Sequence, residues 1–260
     1  MDPNEDNQMH VSNDRYRAPA LDRGLDILEL LASRPDGLTR AEIGKALGFG
    51  PSQIYRVLER LAARRYIARL DGGDRYALSM KLFALGSRHP ALRRLAVEAQ
   101  PLMDRFALDQ RQSCHLVVPE EGAGLVVAQA GPLAHWEFRA RVGARLDLLE
   151  TGSGLTLLAF QHPETRAATL KSWGCSGLLA RIGEAEPEME RIRTAGLRVA
   201  PSAQVVGITD ISLPVLGADG SAVAVLTCPC VTHPDTPSEV AIATATTGLK
   251  IVVSALNLGN

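Results

Sequence analysis

Cysteine is scarce in this chain: four among 260 residues, Cys114, Cys175, Cys228 and Cys230, at irregular spacing. So thin a set cannot staple a fold, which excludes a disulfide framework. Long apolar runs are missing too, with no stretch of about 18 apolar residues to span a bilayer. The opening MDPNEDNQMHVSND is acidic and polar, where a secretory signal needs a basic start and an apolar centre. Internal repeats and low-complexity tracts are absent. These absences predict a cytoplasmic protein with no membrane partner.

What is present is an ordinary globular composition, 46% hydrophobic and 22% charged, enough for one large domain or two modest ones. The net charge of −1 conceals an asymmetry. Residues 15–90 carry 14 Lys/Arg against 8 Asp/Glu, a balance of +6. Residues 91–260 carry 14 against 17, or −3, and the first fourteen residues add −4. A basic N-terminal third ahead of an acidic remainder points to a polyanion-binding module fused to something else.

Local patterns give that module a shape. Leu21, Leu25, Leu28 and Leu31 mark a first helix that ends before RPDG. TRAE at 39–42 is a capping box, in which Thr39 accepts from a backbone N–H three residues on and Glu42 reaches back. It opens a short helix with Ile43, Ala46 and Leu47 inward, stopped at Gly48. Gly50–Pro51 starts a third helix, PSQIYRVLERL, with proline where a missing N–H costs nothing. Ile54, Val57, Leu58 and Leu61 form its apolar stripe, and Ser52, Gln53, Tyr55, Arg56 and Arg60 its other face. YIARL-DGGD-RYAL then reads as a hairpin. Helix, capped short helix, turn, helix and hairpin is the order of a winged helix-turn-helix, whose third helix enters the major groove.

That placement accounts for the polar face. Arg56 and Gln53 are suited to base edges, since Arg pairs bidentately with guanine and Gln with adenine. Ser52 and Tyr55 fix register on phosphates. The wing arginines Arg69 and Arg75, and Arg40 at the start of the second helix, sit over the DNA backbone in this reading. The competing account, a solvated face on a protein-binding winged helix, is opposed by the charge asymmetry and the hairpin's paired arginines.

Residues 79–110 read as a helical linker. From 113 the pattern changes, with strand-like SCHLVV, GLVVAQA, WEFRARV, LRVA, VVGITDISLPV and AVAVLTCPCV. Helical stretches intervene near 153–161, 163–171 and 188–195, and a closing helix covers about 237–257. This is an α+β arrangement around a mostly antiparallel sheet.

The stretch LDRGLDILELLASRPDGLTRAEIGKALGFGPSQIYRVLERLAARRYIARLDGGDRYALSMKLFALG resembles the DNA-binding half of IclR-type bacterial transcriptional regulators. The likeness continues through RARVGARLDLLETGSGLTLLAF and GITDISLPVLGADGSAVAVLTCPCV, which match the family's effector-binding domain. It implies a GAF-like sensing domain, homodimers or dimers of dimers, operator DNA and small organic acids as partners, and no cofactor. The implied division is a disordered tail at 1–17, a winged helix-turn-helix at 18–80, a linker at 81–110 and an effector-binding and oligomerisation domain at 111–260.

For the effector, the resemblance points to the turn ETGSGLT, where the N–H groups of Gly152 and Ser153 at a helix N-terminus would seat a carboxylate. The glycines there also suit a plain tight turn. The family's pocket positions fall on Asp210, Thr227 and Pro229, with His135 and Phe138 as a wall. Pairing arithmetic agrees: with Asp219–Gly220 as the turn, Asp210 opposes Pro229 and Ser212 opposes Thr227, all on one face. Two departures matter. Ala200 stands where the family commonly has an acidic residue, and Asp210 where it has Cys or another small residue. A half-buried carboxylate there repels an anion unless it is protonated or paired with a donor.

Metal and catalytic chemistry are weaker readings. Cys228, Cys230 and His233 form C-x-C-x-x-H, with Cys114 and His115 as further donors, but paired zinc ligands usually stand about two to four residues apart. Buried apolar cysteines are expected instead. TGSG lacks the glycine two places before the serine that a nucleophile elbow needs. Neither His115 nor His135 has a flanking base or acid. The sequence therefore predicts a regulator and not an enzyme. The rival function is a metal-dependent or hydrolytic enzyme carrying a winged-helix adaptor.

Overall fold

Apolar periodicity builds two cores. The computed structural model describes residues 18–258 apart from 71–72, 87, 89, 133–136, 173 and 233. The predicted tail 1–17 and the two histidines at 135 and 233 lie outside the described residues. The chain divides into two units, Met1–His89 and Pro90–Asn260, each with its own core.

The first unit runs α1 (Pro19–Ala32), β1 (Leu38–Thr39), α2 (Arg40–Leu47), α3 (Pro51–Ala63), β2 (Ile67–Arg69), β3 (Arg75–Leu78) and α4 (Lys81–Gly86). The capping box forms as read: Thr39 Oγ1 accepts from Glu42 N at 3.2 Å, and Glu42 Oε2 accepts from Thr39 N at 2.8 Å. Gly48 closes α2 in the left-handed region, at φ 68°. Ile27, Leu31, Ile43, Ile54, Leu58, Ile67 and Tyr76 make the core. Each such aliphatic burial contributes about 1.5–3 kcal/mol.

Several details depart from the sequence reading. Ala46 is exposed, so α2 buries only Ile43 and, in part, Gly44 and Leu47. The inward side of α1 is Gly24, Ile27 and Leu31, while Leu21 and Leu25 are 60% and 49% exposed. These two leucines line an apolar groove of about 860 Å³ with Leu28, Leu61, Leu82 and Leu85. The wing has a third, two-residue strand, β1, paired to β3. Such a short strand leaves no alternating pattern to read.

The second unit runs α5 (Pro90–Gln110), β4 (Cys114–Glu120), β5 (Ala123–Ala130), β6 (Arg145–Asp147), α6 (Gly152–Ala159), α7 (Pro163–Ser172), α8 (Ser176–Ala195), β7 (Arg198–Pro201), β8 (Ile208–Leu216), β9 (Ala222–Val231) and α9 (Ser238–Leu258). Its six strands lie in the order β6-β5-β4-β9-β8-β7, every pair antiparallel. Helices cover both faces. On one, Ala99, Met103, Phe106 and Ala107 of α5 join Ala241, Ala245, Leu249, Val252 and Leu256 of α9 against Leu116, Ile211 and Leu226. On the other, α6, α7 and α8 pack over Val117, Val126 and Val225.

The helical stretch expected over 79–110 is therefore α4 and α5, and α5 is part of the second unit's core. Of the segment WEFRARV, the described residues 137–142 form no strand. Its successors Gly143 and Ala144 take the bonds to Val126, so residues 137–142 leave the sheet edge. β6 was not anticipated, and α8 begins twelve residues before the expected 188, with Pro187 inside it on the exposed side.

The hairpin loop is Gly217–Ser221 and not a two-residue turn; an irregularity between Val215 and Leu216 restores the expected register over 208–215. By length and composition α9 passes for a membrane span, with mean hydropathy 1.4 over Ser238–Asn257. Its apolar residues are interspersed with Thr, Ser and Gly, and one face is committed to the sheet.

Candidate functional site: a recognition helix and a polar-floored cavity

In the first unit, burial of Ile54 and Leu58 turns Ser52, Gln53, Tyr55, Arg56 and Arg60 of α3 outward, all exposed. Arg40 at the start of α2 lies over the Tyr55 ring, 5.1 Å from its centroid, so these two share one surface. The wing arginines are more constrained. Arg69 donates to the Tyr76 hydroxyl at 2.8 and 3.2 Å and pairs with Glu59 at 3.3 Å. Arg75 donates to the Gly37 carbonyl at 3.0 Å and grips both oxygens of Glu42, at 3.0 and 3.4 Å. Both arginines thus brace the fold. Gln53 and Arg56 also border the apolar groove.

In the second unit, Thr151 caps α6, accepting from Gly154 N at 3.1 Å while its hydroxyl donates to the Asp147 carbonyl at 2.7 Å. Gly154 has a packing reason. An added Cβ would lie 2.4 Å from Leu148 Cα and 2.5 Å from the Asp147 oxygen, so the turn admits no side chain there. At Gly152 the neighbours are functional groups: Ser212 Oγ at 3.1 Å, an Arg198 guanidinium nitrogen at 3.2 Å and Asp210 Cβ at 3.3 Å from the same virtual atom. The plain-turn reading fits Gly154, and Gly152 abuts the sheet's polar groups.

Those groups are ordered by register. Arg198 opposes Ser212, Ser212 opposes Thr227, Thr227 opposes His115, and His115 opposes Gln129. Opposed residues share a face, so five polar side chains cross the sheet in one row, from β7 to β5. Thr227 Oγ1 lies 2.8 Å from Ser153 Oγ and 2.9 Å from Ser212 Oγ, a hydroxyl chain reaching into α6. His115 Nε2 is 3.5 Å from Ser153 Oγ.

Among the described residues, three buried side-chain atoms have no hydrogen-bond partner: His115 Nδ1, Gln129 Oε1 and Arg198 Nε. All three belong to this row. Glu188 Oε1 stands 3.3 Å from Arg198 Nε, an ion-pair distance without hydrogen-bond alignment. Burial pushes the His115 imidazole down to about 4, so the ring is neutral.

Beside the row is a cavity of about 200 Å³. Its lining includes Phe138, Gly152, Ser153, Asp210, Thr227 and Pro229, every expected pocket residue except the histidine at 135, which is not described. Burial raises the Asp210 carboxyl, countered by a hydrogen bond from Ser202 and the charge of Arg198. Phe138 arrives on the irregular segment that leaves the sheet edge, together with Arg139 and Ala140.

Comparison with known proteins places both units. Residues 20–71 match the IclR helix-turn-helix domain, and residues 91–240 match the Bacterial transcriptional regulator IclR C-terminal family. The chain belongs to the IclR family. It is 29% identical over 211 residues to the HTH-type transcriptional regulator BhcR of Paracoccus denitrificans, covering 79% of this chain and 75% of that one. It is 21% identical over 224 residues to the DNA-binding transcriptional repressor YiaJ of Escherichia coli, covering 83% and 79%.

Among solved structures, the Thermotoga maritima IclR shares the fold at TM-score 0.72 and 21% identity, over 92% of this chain and 97% of that one. An IclR homolog from Microbacterium hydrocarbonoxydans, complexed with 4-hydroxybenzoate, does so at TM-score 0.71 and 23% identity, over 92% and 98%. This chain is accordingly an IclR-family transcriptional regulator with a ligand-binding C-terminal domain. Both of these relatives are transcriptional regulators.

Within this IclR domain the sequence reading passed over His115, Arg139, Thr151, Ser202 and Gln204 as lining residues. His115 had a signal, because alternation in SCHLVV puts it on the same face as Val117. Which face that was depended on the pairing of β4 with β9, between strands more than 100 residues apart. The cysteines take the opposite face: Cys114, Cys228 and Cys230 are buried in the α5/α9 core. Burial pushes the Cys114 thiol up to about 12, as an apolar filler in this core.

Proposed function

We propose that α3 and the wing bind operator DNA, and that a small organic acid seated in the 200 Å³ cavity of the second unit adjusts that binding. Arg56 and Gln53 read base edges, Ser52 and Tyr55 hold phosphates, and Arg40 and the free edges of Arg69 and Arg75 add backbone charge. The cross-sheet polar row carries the ligand half of the reading. Unpartnered buried polar atoms cost stability, and His115, whose Nδ1 has no partner among the described residues, lines the cavity with Thr227 of the same row, which fits it for a polar guest.

Amide donors at the start of α6 and the Arg198 guanidinium favour an anionic group. The carboxylate bound by the Microbacterium homolog is of the same kind. We assign Gly152, Ser153, Asp210, Thr227, Pro229 and Phe138 to the effector site, with His115 as its neutral floor. The groove of the first unit, where Leu21 and Leu25 are 60% and 49% exposed, supports self-association as a homodimer or a dimer of dimers. The protein acts where its DNA is, in the cytoplasm, on genes of small organic acid metabolism.

Two measurements test the reading. The full chain should retard a fragment from upstream of its own gene, and a thermal-shift screen of small organic acids should return acids that stabilise the protein and change that retardation. Absence of any DNA retention, or turnover of a substrate with tightly held zinc, would turn the assignment toward the enzymatic alternative.

A further inference from the structure

An anionic effector faces an obstacle in this cavity. Asp210 lies on the lining, and its Cβ sits 3.3 Å from the point where a Cβ on Gly152 would be. The protein's own carboxylate therefore stands at the same helix N-terminus that offers donors to a ligand carboxylate. At such separations two carboxylates repel by several-fold to orders of magnitude in affinity unless a shared proton or a donor intervenes. Arg198 answers part of that charge from below, since its guanidinium touches the same position. Asp210 is only half-buried and presents an acceptor to the cavity that, among the described residues, is met by Ser202.

The other lining groups are complementary in kind. Gly152 and Ser153 stand at the helix N-terminus with the Arg198 guanidinium behind Gly152, His115 is buried with an unpartnered Nδ1, and Phe138, Ala140, Leu146 and Pro229 give apolar wall. The volume of about 200 Å³ lies below the range of about 300–1,000 Å³ that holds drug-sized ligands. On the reading of this cavity as the effector seat, we infer that the effector is a small carboxylate that also carries a hydroxyl or ammonium group, and that Asp210 selects it by accepting a hydrogen bond from that group. Asp210 is then the specificity-determining residue. It converts a seat for any small acid into one for hydroxy or amino acids, because an acid without a donor leaves two carboxylates facing each other.

Skeleton-matched probes test this on the full chain by calorimetry at pH 7. Propionate, lactate and alanine share one skeleton and carry hydrogen, hydroxyl and ammonium at the same carbon; phenylacetate, mandelate and phenylglycine repeat the series with an aromatic body. Wild type should bind the hydroxy or amino member of at least one series about 10- to 100-fold more tightly than the unsubstituted acid, the worth of one charge-assisted hydrogen bond. Asp210→Asn should lose that preference and bind the unsubstituted acid as well as wild type or better. Ser153→Pro, which deletes an N–H at the helix N-terminus, should weaken all members of the series that binds. Thermal melts establish that both variants are folded, and the wild-type comparison needs neither.

Equal binding of substituted and unsubstituted acids, unchanged in Asp210→Asn but weakened in Ser153→Pro, overturns the role of Asp210 and leaves the cavity as the seat. If no member of either series binds wild type, or if both folded variants bind like wild type, the seat itself is misplaced and the inference falls with it.

Discussion

Single side chains in this regulator divide by how their donors are already used. Arg56 forms no ion pair among the described residues, whereas Arg69 and Arg75 are held by Tyr76, Glu59, Gly37 and Glu42. Arg56→Ala should therefore cost about 1–3 kcal/mol of operator binding and relax preference at one base pair. Arg69→Ala should weaken all sequences alike and flatten the salt dependence. Binding of a base-substituted operator series across a salt titration separates the two. His115 offers a second test. Its folded pKa, about 4, lies below its unfolded 6.5, so below pH 6.5 the unfolded chain gains the proton first. Stability from the neutral ring is present above 6.5 and is lost as pH falls toward 4. Between pH 7.5 and 5, wild type should lose about 2 kcal/mol more than His115→Gln in denaturant unfolding of the second unit. Asp210, with its raised carboxyl, acts in the opposite sense at lower pH, and it cancels in that difference because both proteins carry it.

The turn into α6 shows how little room an element can have. Gly154→Ala puts a methyl against the Leu148 backbone, and backbone cannot swing aside as a side chain can. The substitution should destabilise the second unit by about 1–3 kcal/mol, as overpacking does, and should dislodge the helix N-terminus that lines the cavity. Gly183, inside α8 with nothing within 4 Å of a virtual Cβ, is the matched control. There alanine should stabilise by about 0.4–1 kcal/mol through the unfolded chain. Urea unfolding of the two variants gives both signs in one experiment.

At the scale of the molecule, charge and core are partitioned alike: a basic unit with a small core and an acidic unit whose larger core fills both faces of its sheet. A single recognition helix reads only a short half-site, so the proposed self-association would raise operator affinity by pairing two of them. Residues 1–90 alone should bind the operator markedly more weakly than the full chain, with a shallower salt slope. Gel shift beside sedimentation decides it: full affinity from a monomeric fragment is the contrary result.

What the sequence determined was local. The capping box at Thr39–Glu42, the inward stripe of α3 and the register of β8 against β9 all follow from interactions between near neighbours in the chain, where pattern and geometry are tied. Six of seven expected effector residues lie around one cavity for the same reason, because one hairpin and one turn supply most of them. The tertiary structure decided what depends on distant strands. Pairing of β4 with β9 brings His115 opposite Thr227 and completes the polar row, and no spacing in the sequence encodes that choice of neighbour. The departure of residues 137–142 from the sheet edge was hidden likewise, since their alternation suits a strand, yet the pairing along β5 ends with Gly143 and Ala144 at Val126. The fates of Arg69 and Arg75 were closed to sequence for the same cause. A guanidinium's partners are chosen by the fold that surrounds it, and in this chain they are a tyrosine, two carboxylates and a carbonyl drawn from other elements.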